Sequence, residues 1–212
     1  MTNAKIKNLL LDHIIEILLV LVVIVMTIIS PNFLTTANIL NIFRNQAMKG
    51  VIAFGMTMVI ISGQIDLSVG SQVALSGVII ARVCRDLPAA TGMSVTAACI
   101  IGIILAVAGA CLMGVIHAVA EHKFKMPAFI VTLTSLNALY GLAGMICQGF
   151  PIANVFPKWF TWLGVGNVFG VIPVPAVVLI IICILCYILM KYTTTGRSVY
   201  AVGGNAESAR LS

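Results

Sequence analysis

Few side chains in this sequence could do chemistry, and the one whose setting is hardest to explain as packing is Asp66. It stands in SGQIDLSVGSQ (62–72), between VIAFGMTMVII (51–61) and VALSGVII (73–80). An ionised carboxylate inside lipid costs a few kcal/mol, so it persists only where backbone or a water-filled cavity satisfies it. The stretch I-D-L-S-V-G supplies a means: Asp66 can cap a helix that restarts just after it, accepting from amides near Ser68 and Val69. Gln64, Ser68, Ser71 and Gln72 add hydrogen-bonding groups around it. Two readings follow, a capped helix break and a substrate or gating element on a polar pathway, and broken spans in transporters often serve as both. Gln64, Asp66, Ser68, Gly70 and Ser71 are the predicted pathway or break residues.

The rest of the inventory excludes most catalytic classes. No Walker A loop, HExxH, G-x-S-x-G or dinucleotide fingerprint is present. His13, His117 and His122 have no partners at metal spacing and read as boundary histidines, so neither a metal site nor a cofactor is expected. The sequence has six acidic residues, with no acidic pair inside a span. That argues against intrinsic catalysis and against a proton relay. Cys183 and Cys186 form CxxC, but inside VVLIIICILCYILM, without the further ligands zinc needs or the loop of a redox pair. They read as small packing residues. Cys84 and Cys147 fall toward one membrane face, which leaves a disulfide between them open.

The elements that must position these residues follow from composition. Hydrophobic residues make up 61% and charged residues 8%, against about 25% charged in a soluble domain. No soluble fold of this size could hide that much apolar surface, so the predicted fold class is all-α, a polytopic helical membrane protein. The net charge of +6 sits mostly in short gaps between apolar runs, where cations orient spans and meet lipid head groups. No basic patch interleaves with aromatics, and nucleic acid is not an expected partner.

About 20 apolar residues cross the hydrocarbon. The first span is predicted at 14–30, uncleaved because Asp12 and Glu16 interrupt the approach and no A-x-A site follows. Residues 32–49 suit a short interfacial helix, with Ile39, Leu40 and Phe43 on one face and Arg44 opposite. Residues 50–83 would make a helix of about 50 Å, too long for one crossing. Split at Asp66, they give two pieces of about 16 residues, either two short spans at a tight turn or one broken helix. Gly63 and Gly70 bracket the stretch and permit the break. A polar loop (81–92), a span (93–118), a basic loop (121–127) and a span (128–147) follow. An interfacial aromatic segment with Trp159 and Trp162 (148–175) precedes the last span (174–190) and a polar tail (191–212).

Six spans place Lys5, Lys7, Lys123, Lys125, Lys191, Arg197 and Arg210 on one side, read as cytoplasmic. Arg44, Lys49, Arg82, Arg85 and Lys158 fall on the other. Both Met1 and residue 212 are then cytoplasmic. In 93–118, Gly102, Ala106, Ala110, Gly114 and Ala118 recur every four residues, a stripe that lets a neighbouring helix approach closely.

Two motifs carry a family resemblance. GMTMVIISGQIDLSVGSQVALSG resembles the signature of permease subunits of bacterial sugar-uptake ABC transporters, the ribose/xylose/galactose branch, usually G-G-I-D-L-S-V-G-S. Gln64 replaces its second glycine. TTTGRSVYAVGGNAESARLS resembles that family's cytoplasmic loop, with Ser208 in place of the first alanine of an Ala-Ala pair. SPNFLTTANILNIFRNQA and QGFPI are also similar, so the resemblance spans essentially the whole chain.

The resemblance implies a permease subunit in the bacterial inner membrane, with a second permease subunit, cytoplasmic ATP-binding subunits and an extracytoplasmic sugar-binding protein as partners. ATP hydrolysis would lie on the partner, not on this chain. Residues 1–212 would form a single transmembrane permease domain, incomplete at its C-terminus because the family runs on for roughly another hundred residues, and 191–212 a cytoplasmic coupling segment. In that segment Gly203 and Gly204 are read as a flexible turn and Asn205 as an N-cap. A short helix of Ala206, Glu207, Ala209, Arg210 and Leu211 would then dock on the ATPase. The alternatives are an ion-coupled secondary carrier, which would require more ionisable groups within spans, and a non-transporting membrane scaffold.

Overall fold

A computed structural model describes residues 13–212. Lys5, Lys7 and Asp12, on which the sidedness and the uncleaved first span lean, lie outside the described residues. The described residues are helical almost throughout: α1 (Ile14–Ile29), α2 (Thr36–Ile61), α3 (Val69–Thr91), α4 (Val95–Phe124), α5 (Ala128–Cys147), α6 (Lys158–Val165), α7 (Val174–Tyr192), α8 (Thr194–Gly204) and α9 (Ala206–Leu211). Between α6 and α7 lies a small hairpin in which β1 (Asn167–Val168) pairs antiparallel with β2 (Ile172–Pro173). Its tip holds Phe169 and Gly170 at φ 52° and 75°, the two positive values of a tight hairpin turn that matches strand twist.

Helices α4, α5 and α7 are long and apolar enough to cross a membrane, and α1 is a shorter apolar helix of 16 residues. Helices α2 and α3, with 26 and 23 residues, reach about 39 and 35 Å at 1.5 Å per residue. Both have the length to cross, with Arg44 in the first half of α2, Lys49 near its middle, and Arg82 and Arg85 in the second half of α3. Apolar side chains are exposed along α1, α4 and α7, as expected where lipid rather than protein covers them.

The helices form two packed groups. Helix α3 packs on α4 and α5, whereas α2 packs on α7. Within the first group α4 runs antiparallel to α3. Gly102 faces Ile80, and further along α4 Ala106, Ala110 and Met113 share a small cavity with Ile79, Leu75 and Gln72. Helix α5 runs parallel to α3, from Thr132 beside Ile65 to Cys147 beside Ala81. In the second group α2 runs parallel to α7. Arg44 Nη2 donates to Asn167 Oδ1 at 2.8 Å at one end, Gly50 meets Leu179 midway, and Ile61 meets Gly203 just beyond the other end of α7.

Several boundaries differ from the sequence reading. Residues 32–49 are not a separate interfacial helix; Thr35 caps α2 by accepting from the Asn38 amide, and nothing stops the helix before Ile61. The two 16-residue pieces are likewise replaced by two full-length helices that recruit residues on both sides. The expected polar loop 81–92 is helical to Thr91, because Arg82 and Asp86 pair at i,i+4 (2.6 Å) and lengthen α3 beyond its apolar part. Pro88 is accommodated inside its last turns, and Gly92 at φ 71° ends it. The basic loop shrinks to three residues between Phe124 and Ala128. The tail folds into α8 and α9. Cys84 is buried beside Cys99 of α4 rather than bridged to Cys147, and both Cys84 and Cys147 are free thiols.

Candidate functional site

The break around Asp66 is built from local rules. Helix α2 ends in a Schellman motif: Gly63 adopts φ 82°, its amide donates to the Ile60 carbonyl at 3.0 Å, and the Gln64 amide donates to Val59 at 3.1 Å. Residues 64–68 then run without helix. Asp66 turns the chain into α3. Its Oδ1 accepts from the Ser68 amide at 2.7 Å and from the Ser68 hydroxyl at 2.6 Å. The Ser68 oxygen in turn accepts from Gln72 Nε2 at 2.8 Å, and Ser71 Oγ donates to the Ser68 carbonyl at 2.7 Å. Gln72, Ser68 and Asp66 therefore form one chain of hydrogen bonds, closed within seven residues of sequence. Ser68 and Ser71 are buried, Asp66 is half-buried, and Gln64 and Gly70 are exposed.

Of the predicted break residues, Asp66, Ser68 and Ser71 are brought together and Gln64 stands apart. Gly70 lies in the first turn of α3 without a positive φ, so Gly63 alone supplies the left-handed residue. The Val69 amide is not a partner of the carboxylate; Ser68 donates both contacts.

Two neighbours of this break escaped the sequence reading. Thr132 is fully buried, and its hydroxyl sits 2.8 Å from the Ala128 carbonyl and 3.3 Å from that of Ile65. It clamps the extended segment one turn inside the start of α5. His117, read as a boundary histidine, is buried in α4, with Nε2 2.8 Å from Ser135 Oγ of α5. Thr132 and Ser135 are polar residues three apart in an apolar run. That spacing on one helical face was the available signal.

The tail is anchored, not loose. Thr193 caps α8 by accepting from the Gly196 amide at 3.2 Å. A Cβ at Gly196 would overlap the carbonyls of Leu189 and Met190, so this glycine lets α8 fold back on the last turn of α7. Gly203 and Gly204 are not a turn; both are the last residues of α8, and Gly203 lies against Ile61 of α2 and the Ser62 that follows it. Asn205 is the N-cap of α9, accepting from the Ser208 amide at 2.9 Å. Glu207 and Arg210 pair with each other at 2.7 Å on the exposed side of α9. Ala206 and Leu211 are exposed, and Ala209 is half-buried.

The small-residue stripe works along half its length. Gly102 and Ala106 are buried and Ala110 half-buried, and a Cβ at Gly102 would stand 3.0 Å from the Ile80 Cα. Gly114 and Ala118 are exposed, and nothing lies within 4 Å of where a Gly114 Cβ would be. The stripe turns off the α3 interface there because α3 has reached its N-terminus.

Long apolar helices, a hydrogen-bonded break between two of them and a polar tail folded under the bundle define a multi-pass membrane protein. A family model described as "Branched-chain amino acid transport system / permease component" matches residues 38–212. The chain belongs to that family of transporter permease components. It is 40% identical to the ribose import permease protein RbsC of Bacillus subtilis (strain 168) over 196 residues, 92% of this chain and 58% of that protein. The corresponding protein of Escherichia coli (strain K12) is 36% identical over 198 residues, again 92% and 58%. The L-arabinose transport system permease protein AraH of the same strain is 36% identical over 184 residues, 87% and 53%. The chain thus spans somewhat more than half the length of these relatives. No solved structure gives a significant match.

Proposed function

We propose that this chain contributes the first part of the translocation pathway of an ATP-driven importer for a monosaccharide or similar small polyol. The observation that carries the reading is its 36% and 40% identity to two ribose import permeases over 92% of its length. Asp66, Ser68, Ser71 and Gln64 would line or shape the pathway at the break, and the segment Gly203–Leu211 would meet a cytoplasmic ATP-binding subunit. A second permease subunit and an extracytoplasmic binding protein would complete the assembly. The basic residues Lys123, Lys125, Lys191 and Arg197 would face the cytoplasm with residue 212, in the bacterial inner membrane.

Geometry supports the division of labour. Ile65 is tied to Thr132 close to the basic turn after α4, and Ile61 touches Gly203, so the break and the tail share one end of the bundle. A movement of the tail would reach the break through a single turn of α2. The test is uptake of labelled ribose and arabinose into vesicles holding the permease, its ATP-binding subunit and its binding protein. Uptake that requires ATP and both partners is the expected result. Uptake that follows a proton or sodium gradient without the ATPase would overturn the reading. A reporter fused after residue 212 would be active only in the cytoplasm.

A further inference from the structure

The junction of α7 and α8 holds a cleft that the transport reading does not use. Helix α7 is apolar to Met190 and then meets Lys191, which places the edge of the hydrocarbon at that step. Because Gly196 seats α8 on the Leu189 and Met190 carbonyls, Arg197 and Tyr200 come round to face Tyr187 and Lys191. The space between them is about 390 Å³ and is lined by Tyr187, Met190, Lys191, Arg197 and Tyr200.

Its chemistry is one-sided. Lys191 Nζ contacts the Tyr187 hydroxyl at 2.5 Å and lies 5.0 Å from the Tyr187 ring and 5.5 Å from that of Tyr192. Among the described residues, neither Lys191 nor Arg197 forms an ion pair with a carboxylate. Two unneutralised cations and two tyrosines therefore converge at head-group depth, with Met190 on the acyl side. Ammonium and guanidinium groups together favour a phosphate anion, which accepts from both, and basic residues at this depth attract anionic lipid.

We propose that this cleft binds the phosphodiester head group of an anionic phospholipid, with Lys191 and Arg197 on the phosphate and Tyr187 and Tyr200 at its edges. The site would fasten the α7–α8 elbow to the membrane surface. The inference stands on α7 crossing the bilayer and requires no transport.

The test is native mass spectrometry of the purified chain in neutral detergent, titrated with phosphatidylglycerol, with phosphatidylcholine and with inorganic phosphate. Saturable retention of one phosphatidylglycerol, weakened about fivefold by Lys191→Gln and about fivefold by Arg197→Gln, is the expected result. Lys191→Arg should keep the affinity, which separates charge from folding, and far-UV circular dichroism should show unchanged helix content in each variant. Equal binding of phosphatidylglycerol by the doubly substituted chain would overturn the proposal. So would phosphatidylcholine binding as tightly, or inorganic phosphate displacing the lipid at matched concentration, which would assign the cleft to a free anion. Unchanged lipid binding with lost ATP-binding subunit association would assign it to a protein contact.

Discussion

Gly203 of α8 lies against the carbonyl oxygen of Ile61, which occupies the space where a Cβ on Gly203 would stand. The Schellman turn at the end of α2 supplies donors to Met58, Val59 and Ile60, through the amides of Ser62, Gln64 and Gly63. Ile61 receives none of these, and its carbonyl points instead at the glycine backbone. The last residue of α2 before the break is thereby joined to the residue two before the cap of α9.

This contact reverses an ordinary sign. Alanine for glycine in a helix is normally stabilising, by up to about 1 kcal/mol. Gly204→Ala should follow that rule or be neutral, since nothing lies within 4 Å of its Cβ position. Gly203→Ala should instead destabilise by about 1–3 kcal/mol, the cost of overpacking against backbone that cannot rotate away. Thermal melting of the two variants in detergent checks the pair. If the proposed function holds, Gly203→Ala should also lower sugar uptake per ATP hydrolysed, and a silent Gly203→Ala would remove the link between tail and break.

Asp66 accepts both Ser68 contacts through one oxygen. Asp66→Asn retains a carbonyl acceptor there and should cost less than about 1 kcal/mol. Asp66→Ala leaves the buried Ser68 hydroxyl and the Ser68 amide without that partner and should cost about 1–2 kcal/mol. Melting temperatures alongside uptake separate the two roles. If uptake fails equally in both variants while Asn melts like the unsubstituted chain, the charge itself is needed on the proposed pathway.

The break was legible because its determinants are local: a glycine able to take positive φ, an acid two residues before a serine, and polar groups between apolar runs. Its depth was not, because α2 and α3 are each long enough to cross, so Asp66 lies between their ends on the tail side of the bundle and not in mid-span. Asn205 was legible for the same reason, as its cap bond spans three residues. The lengths of α2 and α3 were not, because hydropathy marks where lipid begins, whereas helices end where capping ends them. Thr35, Gly63 and Gly92 set those ends, and Arg82 with Asp86 carries α3 past its greasy part. Gly203 was misread as a turn because a glycine pair permits either flexibility or close approach. Only the packing of α2 beneath it shows which applies. His117 and Ser135 lie eighteen residues apart, and their meeting depends on α4 and α5 being neighbours.

The two halves of the small-residue stripe should respond differently to bulk. Gly102→Leu would drive a side chain into the Ile80 backbone, 3.0 Å from the Cβ position, and should destabilise by about 1–3 kcal/mol or more. Gly114→Leu faces open space on the exposed side of α4 and should be neutral or slightly stabilising in lipid. Comparable losses for both would mean that Gly114 is covered in the assembly, and crosslinking from a cysteine at 114 would then identify the covering helix.

His117 and Ser135 give the last test, because their contact joins α4 to α5 at the tail-side end of the bundle. The histidine is buried and the bond is 2.8 Å long, so removing either partner leaves a polar group without its mate. His117→Ala and Ser135→Ala should each destabilise, and the double variant should lose less than their sum, with a coupling energy of about 0.5–1.5 kcal/mol. Ser135→Thr keeps the hydroxyl and should preserve most of it. Additive losses in the melting cycle would show that the two side chains act independently. A clear coupling would make them the clasp that holds α5, and through Thr132 the Ile65 carbonyl, in place beside the break.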